Sequence, residues 1–182
     1  MRQVNIKSTD SPLFASAWQI YNGSFPSSER RRFEAQRRAI EEQPECSMDI
    51  LVDDDRSDEA AGFMLYWLFD GLVYLEHFAV SERYRGRGIG SEMLDYFVGS
   101  HLPARIVLDA DMPVDEISRR RIRFYERHGF VVNSSKRHIH PNLGDPGADS
   151  FELLLLSYGS LLDDEEFVRF RELFCDRVCL NL

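Results

Sequence analysis

The stretch Tyr84-Arg85-Gly86-Arg87-Gly88-Ile89-Gly90-Ser91 constrains this chain more than any other. A hydrophobic run, Leu72 to Val80, leads into it, and an amphipathic segment, Ile89 to Phe97, leaves it. A strand that ends in a glycine-rich turn and opens a helix is an anion cradle. Glycine lets backbone N–H groups approach a phosphate closely, and the helix N-terminus adds roughly half a positive charge. The spacing narrows what the cradle holds. A dinucleotide fingerprint needs G-x-G-x-x-G, whereas the glycines here fall at 86, 88 and 90 and position 91 is serine. A P-loop needs Gly-Lys-Ser/Thr, which this stretch lacks. What remains is Arg85-x-x-Gly88-x-Gly90 between a strand and a helix.

Charge supports a polyphosphate ligand and argues against other anions. The net charge is −9, which disfavours nucleic acid and an anionic membrane as partners. Yet Arg83, Arg85 and Arg87 flank the turn, and Arg119, Arg120, Arg121, Arg123 and Arg127 crowd one later helix. The second cluster is alternatively a solvated helix face. The longest apolar run, Gly62 to Phe69, is too short to span a bilayer. The N-terminus lacks an apolar stretch of signal-peptide length, so a cytoplasmic location is expected. The three cysteines, Cys46, Cys175 and Cys179, lack metal-site spacing and read as small buried hydrophobes in a reducing compartment.

A single domain over residues 1–182 is expected from a chain of this length. Its core should run from about residue 46 to 157, with a closing helix over 161–182. Helical spacing marks Ser11 to Tyr21, then a helix from an N-cap at Ser27 through Ile40. Ser47 to Val52, Ala61 to Phe69 and Leu72 to Val80 read as strands, with Asp70-Gly71 as a hairpin turn. Arg105 to Asp109 is a further strand, Asp115 to His128 a helix capped by Gly129, and Phe151 to Ser157 an apolar strand. Alternating strands and helices give an α/β (α+β) domain with a mixed sheet.

The motif Arg85-x-x-Gly88-x-Gly90 resembles the acyl-CoA-binding Q/R-x-x-G-x-G/A signature of the GNAT superfamily, the Gcn5-related N-acetyltransferases. Tyr74 to Ser81 resembles that family's central strand and exit, and Phe124-Tyr125 to Gly129-Phe130 its F-Y-x-x-x-G-F motif, in the right order. The resemblance implies a GNAT fold, with a mixed central sheet, a splayed parallel strand pair, flanking helices and a C-terminal helix. It implies acetyl-CoA as co-substrate, no metal, and direct transfer to a primary amine in a ternary complex. Backbone groups of Phe78, Ala79 and Val80 would meet the pantetheine, and residues Arg85, Gly86, Arg87, Gly88, Ile89, Gly90 and Ser91 the pyrophosphate. Tyr125 would protonate the leaving thiolate. Many members carry asparagine where this chain has Ser118, so that cofactor contact is expected to be weakened or replaced, by Arg119 or Arg123.

Glu76 is the candidate base. Period-two alternation places residues 74, 76, 78 and 80 on one strand face, with His77 opposite. A carboxylate inside an apolar strand needs a task or a partner, so an arginine-paired structural Glu76 is the alternative. Phe25, Glu29 and Arg30 fall in the segment that roofs the acceptor pocket in the superfamily. Glu29 suits a cationic acceptor and Arg30 an anionic one. His138 and His140 alternate on a strand without an evident third ligand, so no metal is expected. Phe167, Phe170, Phe174 and Val178 form a stripe that either packs on its own domain or makes a dimer face, leaving monomer and homodimer open. A non-catalytic, regulatory CoA-binding module and a protein or peptide acetyltransferase are the competing functions.

Overall fold

The computed structural model describes residues 1–179, so positions 180–182 of the closing segment lie outside the described residues. In chain order the elements are β1 (Arg2–Ile6), α1 (Pro12–Ser24), α2 (Phe33–Glu42), β2 (Cys46–Asp53), β3 (Arg56–Phe69) and β4 (Leu72–Val80). There follow α3 (Ile89–His101), β5 (Arg105–Ala110), α4 (Glu116–Arg127), β6 (Phe130–Val132), β7 (His138–His140), β8 (Phe151–Tyr158) and α5 (Asp164–Leu173). The strands form a mixed sheet in the order β1-β2-β3-β4-β5-β8-β6, with β7 added to β8.

The β4–β5 pair is parallel and short. Leu72, Val73, Tyr74 and Leu75 pair with Arg105, Ile106, Val107 and Leu108, and pairing stops there. Beyond that point β4 continues with β3 on one side only, while Asp109 and Ala110 stay bonded to β8. The two strands therefore splay from Glu76 and Asp109 onward, which opens a gap in the middle of the sheet.

A β-bulge sits at the mouth of the gap. Tyr66 pairs with Leu75 and Leu65 pairs with His77, so Glu76 is the extra residue on β4. A bulge bends the strand and breaks side-chain alternation. Tyr74, Glu76, His77 and Ala79 consequently meet the core beneath α1, α2 and α5, whereas Leu75, Phe78 and Val80 meet the core beneath α3 and α4. This corrects the expected face shared by 74, 76, 78 and 80. Alternation is a property of regular pairing, and one unpaired residue reverses it.

The predicted helix from Ser27 to Ile40 is also broken. A single 3-10 turn, Ser27–Glu29, precedes extended backbone at Arg30 and Arg32 before α2 begins. Local propensity lost to tertiary ties here. The Tyr21 hydroxyl accepts from the Arg31 N–H at 2.9 Å, the Glu29 carbonyl meets His77 Nε2 at 2.9 Å, and the Ser28 carbonyl accepts from the Leu143 N–H at 2.8 Å. Residues 25–32 thus form a strap stitched to α1, β4 and the loop after β7.

The closing segment runs through α5 into a π turn, Phe174–Val178. Phe170, Phe174 and Val178 are buried against Tyr74 and the rest of their own core, so the aromatic stripe is internal. Cys46 is buried and Cys179 half-buried, but Cys175 is exposed, which corrects the expectation of three buried thiols. No helix among the described residues is long and apolar enough to cross a membrane.

Candidate active site at the splayed strands

A cleft of about 520 Å³ passes through the gap between β4 and β5. At one end it is bordered by Arg85 and Gly90, and along one side by Arg120, Phe124, Tyr125 and Arg127 of α4. Leu75, Glu76, Phe78, Ala79 and Val80 of β4 line its floor with Asp109, Ala110 and Asp111. Gly23, Ser24, Phe25 and Glu29 line it from the end of α1 and the strap.

The glycine-rich turn has the geometry of an anion cradle. Gly86 and Gly88 hold φ of 74° and 82°, a left-handed backbone that a Cβ would strain, and Gly88 is the N-cap of α3. Gly90 fits against Val80, Phe78 and Phe124, while Ile89 is buried and anchors the helix. Ser91 does not line the cleft, and its hydroxyl meets His128 Nε2 at 3.1 Å. Arg85 donates to the Val80 carbonyl at 3.0 Å, so that carbonyl is already engaged. Arg87 lies over the Tyr84 ring.

Ser118 is not in the cleft. Its hydroxyl and N–H complete a capping box with Asp115 at the start of α4, and the residue is buried there. Arg119 and Arg123 both reach Glu116. The arginines that α4 does place on the cleft are Arg120, Arg121 and Arg127, which join Arg85 there. The arginine cluster is therefore split between a solvent face and the cleft.

Glu76 is held by partners on both oxygens. Trp67 Nε1 donates to Oε2 at 2.7 Å and Arg31 approaches Oε1 at 2.5 Å, with side-chain exposures of 1% for Glu76 and 0% for Arg31. Arg31 also donates to the Val178 carbonyl at 3.0 Å. Burial alone would lower the Arg31 guanidinium, but Glu76 and neighbouring groups reverse this and raise it. The structural alternative for Glu76 is the one the geometry realises. It sits on the opposite sheet face from Phe78, with neither oxygen open to a proton from substrate. His77 shares its side of the sheet, packed on Tyr21 and Phe25, and burial lowers its imidazole to about 4.

Apart from Glu29, the acidic end of the cleft carries no motif in the sequence. Asp109 accepts from the Tyr74 hydroxyl at 2.7 Å and meets His138 Nε2 at 3.0 Å, both on Oδ2. Burial would push its carboxyl up, but His138, His140 and Tyr74 more than offset this and hold it below the usual range. Asp111 pairs with Arg121 at 2.5 Å. Glu29 lines the cleft with Asp111 and Asp109, and burial, then Asp111 and Asp109, push its carboxyl up to about 8 against the pull of Arg121. Arg30, by contrast, turns to Asn22 and does not line the cleft. The signal for Asp109 was its place at the end of β5, where a splayed strand exposes its next side chain. His138 reads as its hydrogen-bond partner. No group of three or more His, Cys, Asp or Glu among the described residues is placed to hold a metal.

Tyr125 lies on the other side of the gap, packed edge-on against Phe124 and Phe130, and burial raises its phenol to about 12. A glycine-rich turn opening a helix, a splayed parallel pair and a tyrosine on the flanking helix meet on one cleft, the arrangement that the motif resemblance led one to expect of an acyl-CoA-dependent transferase.

Comparison with known proteins agrees. The family model described as "Acetyltransferase (GNAT) family" matches residues 13–130. The chain therefore belongs to the GNAT acetyltransferase family and is an N-acetyltransferase. It is 31% identical over 113 residues to the spermine/spermidine N(1)-acetyltransferase of Bacillus subtilis (strain 168), covering 55% of this chain and 71% of that enzyme. Over 97% of this chain and 98% of the other, it is 30% identical to a putative GNAT-family acetyltransferase from Bacteroides thetaiotaomicron, with a TM-score of 0.83. Arabidopsis thaliana NAA60, solved in complex with acetyl-CoA, shares the fold at 21% identity and a TM-score of 0.61, over 86% of this chain and 97% of that one.

Proposed function

We propose that this protein transfers an acetyl group from acetyl-CoA to a primary amine that carries further positive charge, by direct attack within a ternary complex. The observation that carries this reading is the single cleft that joins the glycine-rich cradle to an acidic end through the gap between β4 and β5. Acetyl-CoA supplies an activated thioester. The residues of the chain bind and polarise it. Residues 86–90 offer N–H groups to the pyrophosphate, the Ser91 N–H being donated to the Gly88 carbonyl at 2.9 Å, and Arg85, Arg120 and Arg127 border the same cleft with compensating charge. The N–H of Phe78 points the thioester carbonyl toward electrophilic activation, as an oxyanion donor does. Tyr125 supplies the proton for the departing sulphur, since a phenol raised by burial still matches a thiolate leaving group better than water does.

The acceptor class rests on charge. Glu29, Asp109 and Asp111 gather at the far end against Arg121 alone among the lining arginines, which favours a cation. Similarity to an enzyme named for spermine and spermidine points the same way, to a polyamine. CoA release from acetyl-CoA tests this with spermidine, a neutral-tailed alkylamine and a peptide N-terminus as acceptors. Spermidine is expected to give the highest kcat/KM, and Tyr125→Phe to lower kcat by about 100-fold with little change in KM for acetyl-CoA. Equal turnover of the neutral-tailed amine would remove the polycation, and full activity of Tyr125→Phe would remove the acid.

A further inference from the structure

The acceptor ammonium must lose a proton before it can attack, and Glu76, the sequence-level candidate for that task, is closed. We propose that Glu29 is the group that takes this proton, with Asp111 as the positioning residue that tunes it. This inference rests on the N-acetyltransferase reading above.

Four other groups near the gap are unsuited. Glu76 has both oxygens bound, by Trp67 and Arg31. His77 gives Nε2 to the Glu29 carbonyl and is buried among aromatic rings. Asp109 is held low by its hydrogen bonds, which makes it a weak base but a steady anchor for a cation. Tyr125 lies on the α4 side, where the sulphur leaves. Glu29 differs from all of them. It lines the acceptor end, it is only half-buried, and its backbone is fixed by the stitched strap.

The groups facing Glu29 explain its chemistry. Asp111 and Asp109 face it from the end of β5, Arg121 from α4, and His77 meets its carbonyl from β4. Burial and the like charges of Asp111 and Asp109 disfavour the ionised form of Glu29, so its carboxyl holds a proton to higher pH. A carboxylate poised near 8 is a far better match to an ammonium near 10 than an ordinary one near 4, shortening the uphill transfer from about six pH units to about two.

The protons balance. R–NH3⁺ gives one proton to the Glu29 carboxylate and becomes R–NH2, whose lone pair forms the C–N bond to the thioester carbon. The C–S bond breaks, the electron pair leaves on sulphur, and Tyr125 protonates it. The nitrogen loses its second proton as the amide forms, which restores Tyr125 through water. Glu29 then returns its proton to solvent.

The test is a pH profile of kcat with spermidine and saturating acetyl-CoA for wild type, Glu29→Gln and Asp111→Asn. An infrared titration of the carboxyl band is run alongside. Wild type should rise through about pH 8, and Glu29→Gln should fall by about 100-fold or more and lose that rise while keeping its thermal shift with acetyl-CoA. Asp111→Asn should move the rise to lower pH, because it removes a like charge and releases Arg121 to act on Glu29. A role in shape alone would not move it. A kcat for Glu29→Gln within threefold of wild type overturns the proposal. So does a carboxyl titrating near 8 that persists in Glu29→Gln, whatever the turnover. Wild type that binds acetyl-CoA and shows the titration but acetylates no amine would instead overturn the functional reading.

Discussion

Arg31 and Glu76 form the most consequential residue pair outside the chemistry. Neither side chain is exposed, and each charge is neutralised mainly by the other. Breaking such a pair leaves one charge buried and unpaired, which costs about 3–5 kcal/mol, whereas replacing both can be nearly neutral. Glu76→Gln is therefore expected to lower stability by roughly that amount in denaturant unfolding. Arg31→Met combined with Glu76→Gln should recover much of the loss, and additive losses in the double variant would refute the pair. The sequence shows that Glu76, a carboxylate in an apolar strand, needs a task or a partner. It cannot choose between them, because the partner comes from the distant strap and is met only through tertiary packing. Tyr125 was legible for the opposite reason: its position follows from a contiguous helical motif whose spacing fixes which face it shares with the cleft.

At the scale of elements, the strap over residues 25–32 decides where Glu29 points. Helical propensity across 27–40 was real but incomplete, since tertiary hydrogen bonds at Tyr21, His77 and Leu143 broke it into a turn and a helix. Gly144 is where this strap meets the loop after β7. A Cβ there would lie 2.1 Å from the Ser27 carbonyl oxygen, far inside contact distance. Gly144→Ala must therefore push the loop off the strap. The expected result is a rise of about tenfold in KM for the amine, of the order set by one or two lost hydrogen bonds, with KM for acetyl-CoA unchanged. Steady-state kinetics with each substrate varied in turn checks this, and a parallel rise in both constants would contradict it. The bulge at Glu76 was invisible in the sequence for a related reason. Strand runs and their ends are written in hydrophobicity, but a bulge exists only relative to the partner strand.

For the whole molecule, the raised carboxyl of Glu29 links stability to pH. The folded state holds a proton that the unfolded chain releases at the ordinary carboxylate value. The stabilisation is thus fully present below that value and is lost as pH rises to about 8. His77, lowered to about 4, acts the other way and only as pH falls below its ordinary range. The melting temperature of wild type relative to Glu29→Gln should accordingly decline between about pH 5 and 8 and level off above. A flat difference across that window in thermal melts would count against the shift. The fold was legible because strand, turn and helix were each spelled locally around the glycines, and the acidic end was not, because it is assembled from the strap, the end of β5 and α4. The reversal of faces at Glu76 carries a consequence for diversification. It turns the β4 side chains beneath α1 and the strap away from those beside α3 and α4, so on the reading proposed above drift in α1 and the strap would alter the amine end of the cleft and leave the surroundings of the glycine-rich turn as they are.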